Sequence, residues 1–177
     1  WVLDYYGHSR LSILNGGYPK WTAENRAVTR QAPRFEAATF SATPDPTKVA
    51  DKDYILANMD GDSVALCDAR SPGEYTGEDV RRGAGRGGRV PGAINIDWVN
   101  SVTGDETPVF KALADLKQLY ESAGITPDKE IVTYCQSAVR GAHSYFVLKL
   151  LGYPRVRNYD GSWQDWSNNQ SLPIEKG

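Results

Sequence analysis

Short apolar runs alternate with helical patterns from residue 63 onward. The apolar runs predict buried strands at residues 64–67, 93–96, 131–134 and 156–159. Apolar residues at helical spacing predict helices over residues 49–58, 110–120 and 142–150. Because strands alternate with helices, we expect an α/β domain with a mainly parallel central sheet of about five strands and helices on both faces.

The N-terminal part of the chain lacks this alternation. Residues 33–48 contain three prolines and no steady periodicity, a composition that is typical of a linker. One short apolar run before the linker, at residues 11–14, predicts an isolated strand. We therefore divide the chain into an N-terminal piece at residues 1–32, a linker at residues 33–48 and a main domain at residues 49–177.

Composition and charge narrow the classes of function. The formal net charge of −2 argues against nucleic acid or an anionic membrane as a partner. No apolar run is long enough to span a bilayer, and residues 1–30 lack the pattern of a signal peptide. Two cysteines, Cys67 and Cys135, make no disulfide framework, so we expect a reducing, cytoplasmic location. The two cysteines and two histidines also offer no ligand set for a metal.

The candidate chemistry lies directly after the apolar run at residues 131–134. Cys135 follows this strand, and a helical segment begins near Arg140, so the cysteine is expected at the carboxyl end of a buried strand. Loop N–H groups, the helix N-terminus and Arg140 would together stabilise a thiolate, a persulfide or an oxyanion. Cys135 is therefore the candidate nucleophile. The candidate anion-binding loop consists of Gln136, Ser137, Ala138, Val139 and Arg140.

The length of this loop separates two kinds of cysteine enzyme. Cysteine-dependent phosphatases place five residues between cysteine and arginine to enclose a phosphoryl group, whereas only four lie between Cys135 and Arg140. A phosphatase also needs a positioned acid for its leaving group, and the sequence does not assign that role to Asp160. The shorter loop favours sulfur transfer, in which a thiolate attacks sulfane sulfur and carries it as a persulfide.

Four motifs resemble those of rhodanese-type sulfurtransferases. Residues 68–75 resemble the first signature, residues 90–95 the second, residues 135–140 the active-site loop, and residues 158–166 the end of the C-terminal domain in two-domain members. Residues 6–21 are similar to the closing segment of a first rhodanese repeat. The resemblance implies a rhodanese-like fold and the C-terminal catalytic domain of a tandem thiosulfate or 3-mercaptopyruvate sulfurtransferase. Residues 1–32 would then be the tail of a preceding repeat whose remainder is missing.

The resemblance also implies the reaction and its partners. It predicts a small-molecule sulfur donor, a cyanide or thiol acceptor, a Cys135 persulfide and no cofactor. Arg140 at the end of the loop is similar to the loop end of bacterial tandem enzymes. This similarity makes thiosulfate the first choice of sulfur donor. Gln136 and Ser137 stand where mammalian-type thiosulfate enzymes carry basic residues, and Glu74 stands where they carry arginine. Ser137 matches mercaptopyruvate-type loops, so that donor is the alternative. A third hypothesis is a non-catalytic, partner-binding module. The retained Cys135 argues against it, because inactive rhodanese-like domains lack this cysteine.

Several other residues have structural interpretations. We expect Asp68 and Arg70 to hold the sheet end rather than touch substrate, and Trp163 to wall the pocket or pack in the core. Cys67 is expected in the core and His143 in packing or at the surface. The loop at residues 81–89, rich in arginine and glycine, is expected to be solvated and mobile, because no aromatic residues are interleaved to stack bases.

Overall fold

Two parallel strands, β2 (Val64–Asp68) and β4 (Glu130–Tyr134), form the centre of the sheet. The structure is a computed structural model that describes residues 1–8, 10–104 and 106–177. Three further strands complete the sheet: β1 (Val49–Ala50), β3 (Ile94–Asn95) and β5 (Val156–Tyr159). The order is β1-β5-β4-β2-β3, with every pair parallel. The predicted five-stranded parallel α/β sheet is confirmed.

The fifth strand corrects the prediction of a helix over residues 49–58. Val49 and Ala50 pair with β5, and helix α3 (Lys52–Asn58) begins only after Asp51, whose carboxylate accepts a hydrogen bond from the Tyr54 N–H. A two-residue edge strand is too short to carry a periodic signal of its own. The helix predicted over residues 110–120, α5 (Leu113–Ser122), also begins later, because Phe110 pairs with Val102 in an isolated bridge.

Helices cover both faces of the sheet, as predicted. Successive β2 side chains alternate between two core clusters, with Cys67 in one and Leu66 in the other. The first cluster is covered by α5 and by α6 (Val139–Leu150), and the second by α3 and α7 (Ser162–Asn168). Cys67 is fully buried, which confirms its place in the core, and burial raises the pKa of its thiol.

A glycine fixes α6 against the end of β4. A Cβ atom at Gly141 would lie 2.7 Å from Asn158 Oδ1 and 3.1 Å from Tyr134 Cα. Only a residue without a side chain allows the first turn of α6 to approach the strand this closely. The helix N-terminus is therefore held directly beside the carboxyl end of β4, where Cys135 follows.

The N-terminal piece packs on the main domain through α1 (Val2–Tyr5). Lys48 Nζ donates to Asp4 Oδ1 at 2.6 Å, and the Tyr145 hydroxyl donates to Asp4 Oδ2 at 2.7 Å. Helix α2 (Gly17–Ala23) follows, but the strand predicted at residues 11–14 is absent, because no described strand pairs with it. None of the described helices is long and apolar enough to cross a bilayer.

The segment before the main domain is extended. Residues 26–45 have no regular secondary structure and are almost entirely exposed. This irregular stretch begins earlier than the linker that the prolines indicate, and it ends beside α1, where the Thr43 and Asp45 N–H groups donate to Tyr6 and Tyr5 carbonyls. The division into an N-terminal piece, a linker and a main domain stays a prediction.

Candidate active site

Cys135 lies where β4 ends and the chain turns into α6. The residue is 1% exposed, so its thiol forms the floor of the site rather than its rim. Ala138, at the N-cap of α6, has a φ of 66°, and this left-handed residue turns the loop back over the cysteine. Ser137 and Val139 point outward and are exposed, whereas Gln136 and Arg140 are half-buried. The whole predicted loop is therefore assembled around one buried sulfur.

The hydroxyl of Ser162 holds the loop in place. It accepts hydrogen bonds from the Cys135 and Ala138 N–H groups, with N···O distances of 3.2 and 2.9 Å, and donates to the Tyr159 carbonyl at 2.8 Å. The Trp163 N–H donates to the Cys135 carbonyl at 2.9 Å. Ser162 was not among the predicted site residues. The sequence pointed to Ser162 only indirectly, because it lies within residues 158–166, which resemble the end of the C-terminal domain in two-domain rhodanese-type enzymes.

Several backbone donors of the loop remain available. In the described parts of the chain, the N–H groups of Gln136, Ser137, Arg140 and Gly141 have no acceptor. Unpaired N–H groups at the start of a helix attract anions, and the helix dipole adds to that attraction. The loop can therefore stabilise a negative charge on Cys135 or on an atom bound to it.

Arg140 joins the cysteine to a buried carboxylate. Its Nη1 and Nη2 atoms donate to the two carboxylate oxygens of Glu74 at 2.7 and 2.8 Å. Glu74 is 1% exposed. It also forms the capping box of α4 (Pro72–Thr76) with Ser71, so its carboxylate is held at the start of that helix. The sequence separates these two site residues widely, and the structure brings them together.

The charges of this pair are strongly coupled. Burial opposes ionisation of Glu74, but hydrogen bonds from Arg140 and Ser71 outweigh it and lower the pKa of Glu74 to about 2. The hydrogen bonds with Glu74 raise the pKa of Arg140 despite burial, and the nearby Cys135 sulfur adds to the increase. Arg140 thus carries its positive charge between Glu74 and the candidate nucleophile.

Asp68 and Arg70 form a second pair beneath the site. The Arg70 guanidinium donates to Asp68 Oδ2 at 2.6 Å and to the Gly88 carbonyl at 2.8 Å, and both side chains are at most 1% exposed. Its Cζ atom lies 4.6 Å from the ring centre of Trp163, which is itself buried. The placement of these three residues fits a structural role, because solvent does not reach them.

The arginine- and glycine-rich loop differs from the solvated loop that the sequence predicts. Arg86 donates to backbone carbonyls after α7, including that of Asn169 at 2.6 Å, and Arg89 pairs with Glu175 at 2.5 Å. A Cβ atom at Gly87 would lie 2.6 Å from the Gly77 carbonyl oxygen, so glycine permits the two chain segments to touch. Arg81, Arg82, Gly83 and Gly85 are exposed, whereas residues 87–89 are buried.

Cys135 lines neither of two cavities, of which one borders Ser137 of the active-site loop and the other borders His143 of α6. A polar cavity of about 580 Å³ is lined by Ser137 and by residues at the start of α7, among them Asp160 and Asp165. An apolar cavity of about 520 Å³ includes His143, whose ring packs between Trp98 and Phe110 at centroid distances of 5.2 and 5.1 Å. Burial lowers the pKa of His143, so the packed ring is neutral at neutral pH.

Metal binding has no obvious place in this arrangement. Among the residues that the structure describes, no group of three or more histidine, cysteine, aspartate or glutamate side chains is positioned to hold a metal ion.

Comparisons with known proteins place this geometry in context. A family model described as "Rhodanese-like domain" matches residues 51–169. The chain is 42% identical to the "Thiosulfate sulfurtransferase" of Azotobacter vinelandii over 177 residues, covering 99% of this chain and 63% of that protein. It is 43% identical to the "Sulfur carrier protein TtuD" of Thermus thermophilus, covering 100% of this chain and 65% of that protein. The chain thus spans less than two thirds of either relative.

Solved structures extend the similarity. EanB with bound ergothioneine matches with a TM-score of 0.90 and 28% identity, covering 99% of this chain and 43% of that chain. A second EanB structure, of a cysteine persulfide in a tetrahedral intermediate state with ergothioneine, matches with a TM-score of 0.88 and 29% identity, covering 99% of this chain and 44% of that chain. These matches include the N-terminal piece as well as the main domain.

Proposed function

The chain belongs to the rhodanese-like domain family, and from this premise we propose that it is a sulfurtransferase that forms a persulfide on Cys135. We further propose thiosulfate as the donor and cyanide or a thiol as the acceptor. The observation that carries the proposal is the buried Cys135 side chain, which is adjacent to Arg140 and is followed in the chain by loop and helix-start N–H groups that have no acceptor among the described residues. Two of the relatives named thiosulfate sulfurtransferase, at 42% and 39% identity, support the choice of donor.

The first half-reaction loads the cysteine. The Cys135 thiolate attacks the outer sulfur of thiosulfate, a new S–S bond forms, and the original S–S bond breaks so that its electron pair leaves with sulfite. The product is an anionic persulfide, Cys135–S–S⁻. The loop N–H groups and Arg140 stabilise this charge in the way that an oxyanion hole stabilises a tetrahedral intermediate.

The second half-reaction empties the site. Cyanide attacks the outer sulfur of the persulfide, thiocyanate leaves, and the electron pair of the broken S–S bond returns to the Cys135 thiolate. A thiol acceptor would instead leave as a persulfide. Both steps are nucleophilic displacements at sulfur, so the cycle balances without an external oxidant or reductant and shows ping-pong kinetics.

One observation favours 3-mercaptopyruvate as a second candidate donor. Glu74 neutralises Arg140 through two hydrogen bonds, which leaves less positive charge for a dianion than an isolated arginine would offer. A monoanionic donor needs less compensation. Steady-state kcat/KM values on the two donors decide between them, and a strong preference for 3-mercaptopyruvate would reverse our order.

Mass spectrometry of the intact protein tests the persulfide directly. Incubation with thiosulfate should add the mass of one sulfur atom, and cyanide should remove it. Cys135→Ser should abolish both the mass change and turnover, whereas Cys67→Ala should keep them, since Cys67 is a fully buried core residue. A protein that stays active with Cys135→Ser would contradict the mechanism. A folded wild type that never gains sulfur would instead support a non-catalytic, partner-binding module.

We also propose that the chain is the C-terminal part of a tandem protein that works in the cytoplasm. The first part of this proposal is supported by the coverage of 61–65% of several relatives and by the resemblance of residues 6–21 to a repeat end. The second part is supported by two free thiols, Cys67 and Cys135, which suit a reducing compartment. The preceding repeat would be its intramolecular partner.

A further inference from the structure

A dianionic donor poses a charge problem for this site. The nearest cation, Arg140, is paired with Glu74, so the two side chains together contribute no net charge. We propose that Arg81 is a specificity-determining residue that supplies the additional positive charge for a dianionic sulfur donor. This inference rests on the proposed function and deepens it by assigning donor recognition to the rim of the arginine- and glycine-rich loop.

Arg81 belongs to a chain of alternating charges that leads from solvent to the nucleophile. Its Nε atom lies 3.1 Å from Asp79 Oδ2 and 3.9 Å from Glu74 Oε2. Glu74 Oε2 is also the oxygen to which Arg140 Nη1 donates at 2.7 Å. These contacts form a series in which Asp79 neighbours Arg81, Arg81 neighbours Glu74, and Glu74 is bound by Arg140, which lies next to Cys135.

The exposure of these groups determines which of them can respond to a donor. Arg81 is 57% exposed and Asp79 is 46% exposed, whereas Glu74 is 1% exposed. Exposed ion pairs contribute little to stability and exchange partners readily. An entering dianion can therefore replace Asp79 as a partner of Arg81, while the buried Glu74 keeps its hydrogen bonds to Arg140.

The other arginines of the loop at residues 81–89 have different contacts. Arg86 is engaged by backbone carbonyls after α7, and Arg89 is held by Glu175 and by the Gly177 carbonyl. Arg82 contacts the active-site loop through its backbone carbonyl, which accepts a hydrogen bond from Gln136 Nε2 at 3.3 Å, and among the described residues its guanidinium forms no ion pair. Arg81 is thus the loop arginine whose guanidinium approaches the charged groups of the site.

The expected size of the effect follows from Coulomb's law. Removing one charge at roughly 6 Å in water weakens binding of a monoanion about threefold and of a dianion about tenfold. Arg81→Gln should therefore raise the KM for thiosulfate about tenfold and the KM for 3-mercaptopyruvate about threefold, with kcat nearly unchanged. Arg81→Lys should restore most of the loss, because it keeps the charge.

Two further variants make the test specific. Arg82→Gln removes the same charge from the neighbouring position and should change the KM for thiosulfate much less than Arg81→Gln does. Asp79→Asn removes the competing anion and should lower that KM. If Arg81 had only a structural role, Arg81→Gln and Asp79→Asn would break the same ion pair and would not shift the KM for thiosulfate in opposite directions.

Binding separates this inference from the proposed function. Calorimetric titration of the Cys135→Ser protein with thiosulfate, with and without Arg81→Gln, measures donor affinity without turnover. About a tenfold loss of affinity supports the role of Arg81 even if the wild type forms no persulfide. Equal effects of Arg81→Gln and Arg82→Gln, an unchanged affinity, or no detectable thiosulfate binding would overturn it, even if sulfur loading of Cys135 is observed.

Discussion

The Asp68–Arg70 pair and the Glu74–Arg140 pair join the same two chemical groups in different surroundings. Asp68 and Arg70 are two residues apart, and both are sealed from solvent beside Trp163. Glu74 and Arg140 are 66 residues apart, and the arginine side chain is 25% exposed beside Cys135. The first pair is closed on all sides, whereas the second has one open side that faces the nucleophile.

Because the two pairs differ in burial, we interpret the first as a structural ion pair and the second as part of the proposed active site. A sealed arginine has no free direction in which to meet a substrate, and removing it leaves its carboxylate without compensation. A partly open arginine keeps its orientation through the carboxylate and still presents positive charge to the reacting sulfur. We therefore expect substitutions in the first pair to affect mainly stability and substitutions in the second to affect mainly activity.

The largest effect is expected from Arg70→Met. It leaves the buried Asp68 carboxylate without its cation, although the backbone N–H of residue 70 still donates to it, so the free energy of unfolding should fall by about 3–5 kcal/mol. Urea denaturation followed by tryptophan fluorescence measures this change. Arg140→Gln serves as the matched control and should cost less stability, because the Glu74 carboxylate keeps its hydrogen bonds from Ser71 and has Arg81 3.9 Å away. If the two variants lose the same stability, the distinction between the pairs is wrong.

Arg140→Gln should affect the reaction instead. Loss of a donor that stabilises the developing charge is expected to lower kcat/KM about 100-fold, as for the removal of one oxyanion-hole group. Initial rates of thiocyanate formation from thiosulfate and cyanide measure this loss, with Arg140→Lys as the control that keeps the charge but not the paired hydrogen bonds. Full activity of the Arg140→Gln protein would show that the loop N–H groups suffice.

The smallest effect is expected in the dependence of the free energy of unfolding on pH under acidic conditions. The pKa of Glu74 is about 2 in the folded protein, below its usual value of 4.5, so the unfolded state takes up the proton first as pH falls. The stabilising contribution of Glu74 is therefore complete above pH 4.5 and is lost progressively toward pH 2. Urea denaturation at several pH values in this window should give a steeper decline for the wild type than for Glu74→Gln.

Glu74→Gln is a matched variant, because glutamine can preserve the capping box with Ser71 while it removes the charge. Identical pH profiles for the two proteins would show that other carboxylates cause the acid sensitivity. In that case the coupling between Glu74 and Arg140 would be weaker than their geometry indicates.

Much of the fold was predictable because its signals are local. The apolar runs of β2, β4 and β5 are buried on both faces, and such strands are recognisable without their neighbours. The edge strand β1 was missed, because two residues hold no periodicity and its pairing with β5 depends on the other end of the main domain. The prediction of a strand at residues 11–14 was wrong, because a short apolar run forms a strand only when another strand pairs with it.

The candidate site divides in the same way. The position of Cys135 and its loop between a strand and a helix was predictable because these segments are contiguous in the chain, whereas the role of Cys135 stays a prediction. Ser162 was missed, because its hydrogen bonds to the Cys135 and Ala138 N–H groups depend on how β5 ends beside β4. Arg86 and Arg89 resemble solvated cations in the sequence, yet the residues after α7 fold back and bind them.

The sequence by itself determined the parallel α/β architecture, the candidate nucleophile and the length of the loop that follows it. These features follow from short-range patterns of apolar residues, turns and one cysteine. Only the tertiary structure decided which carboxylate meets Arg140, which arginine is sealed and which one reaches the rim of the site. The physical reason is that sheet order brings distant segments together, and burial then determines whether a charged pair can still interact with a substrate.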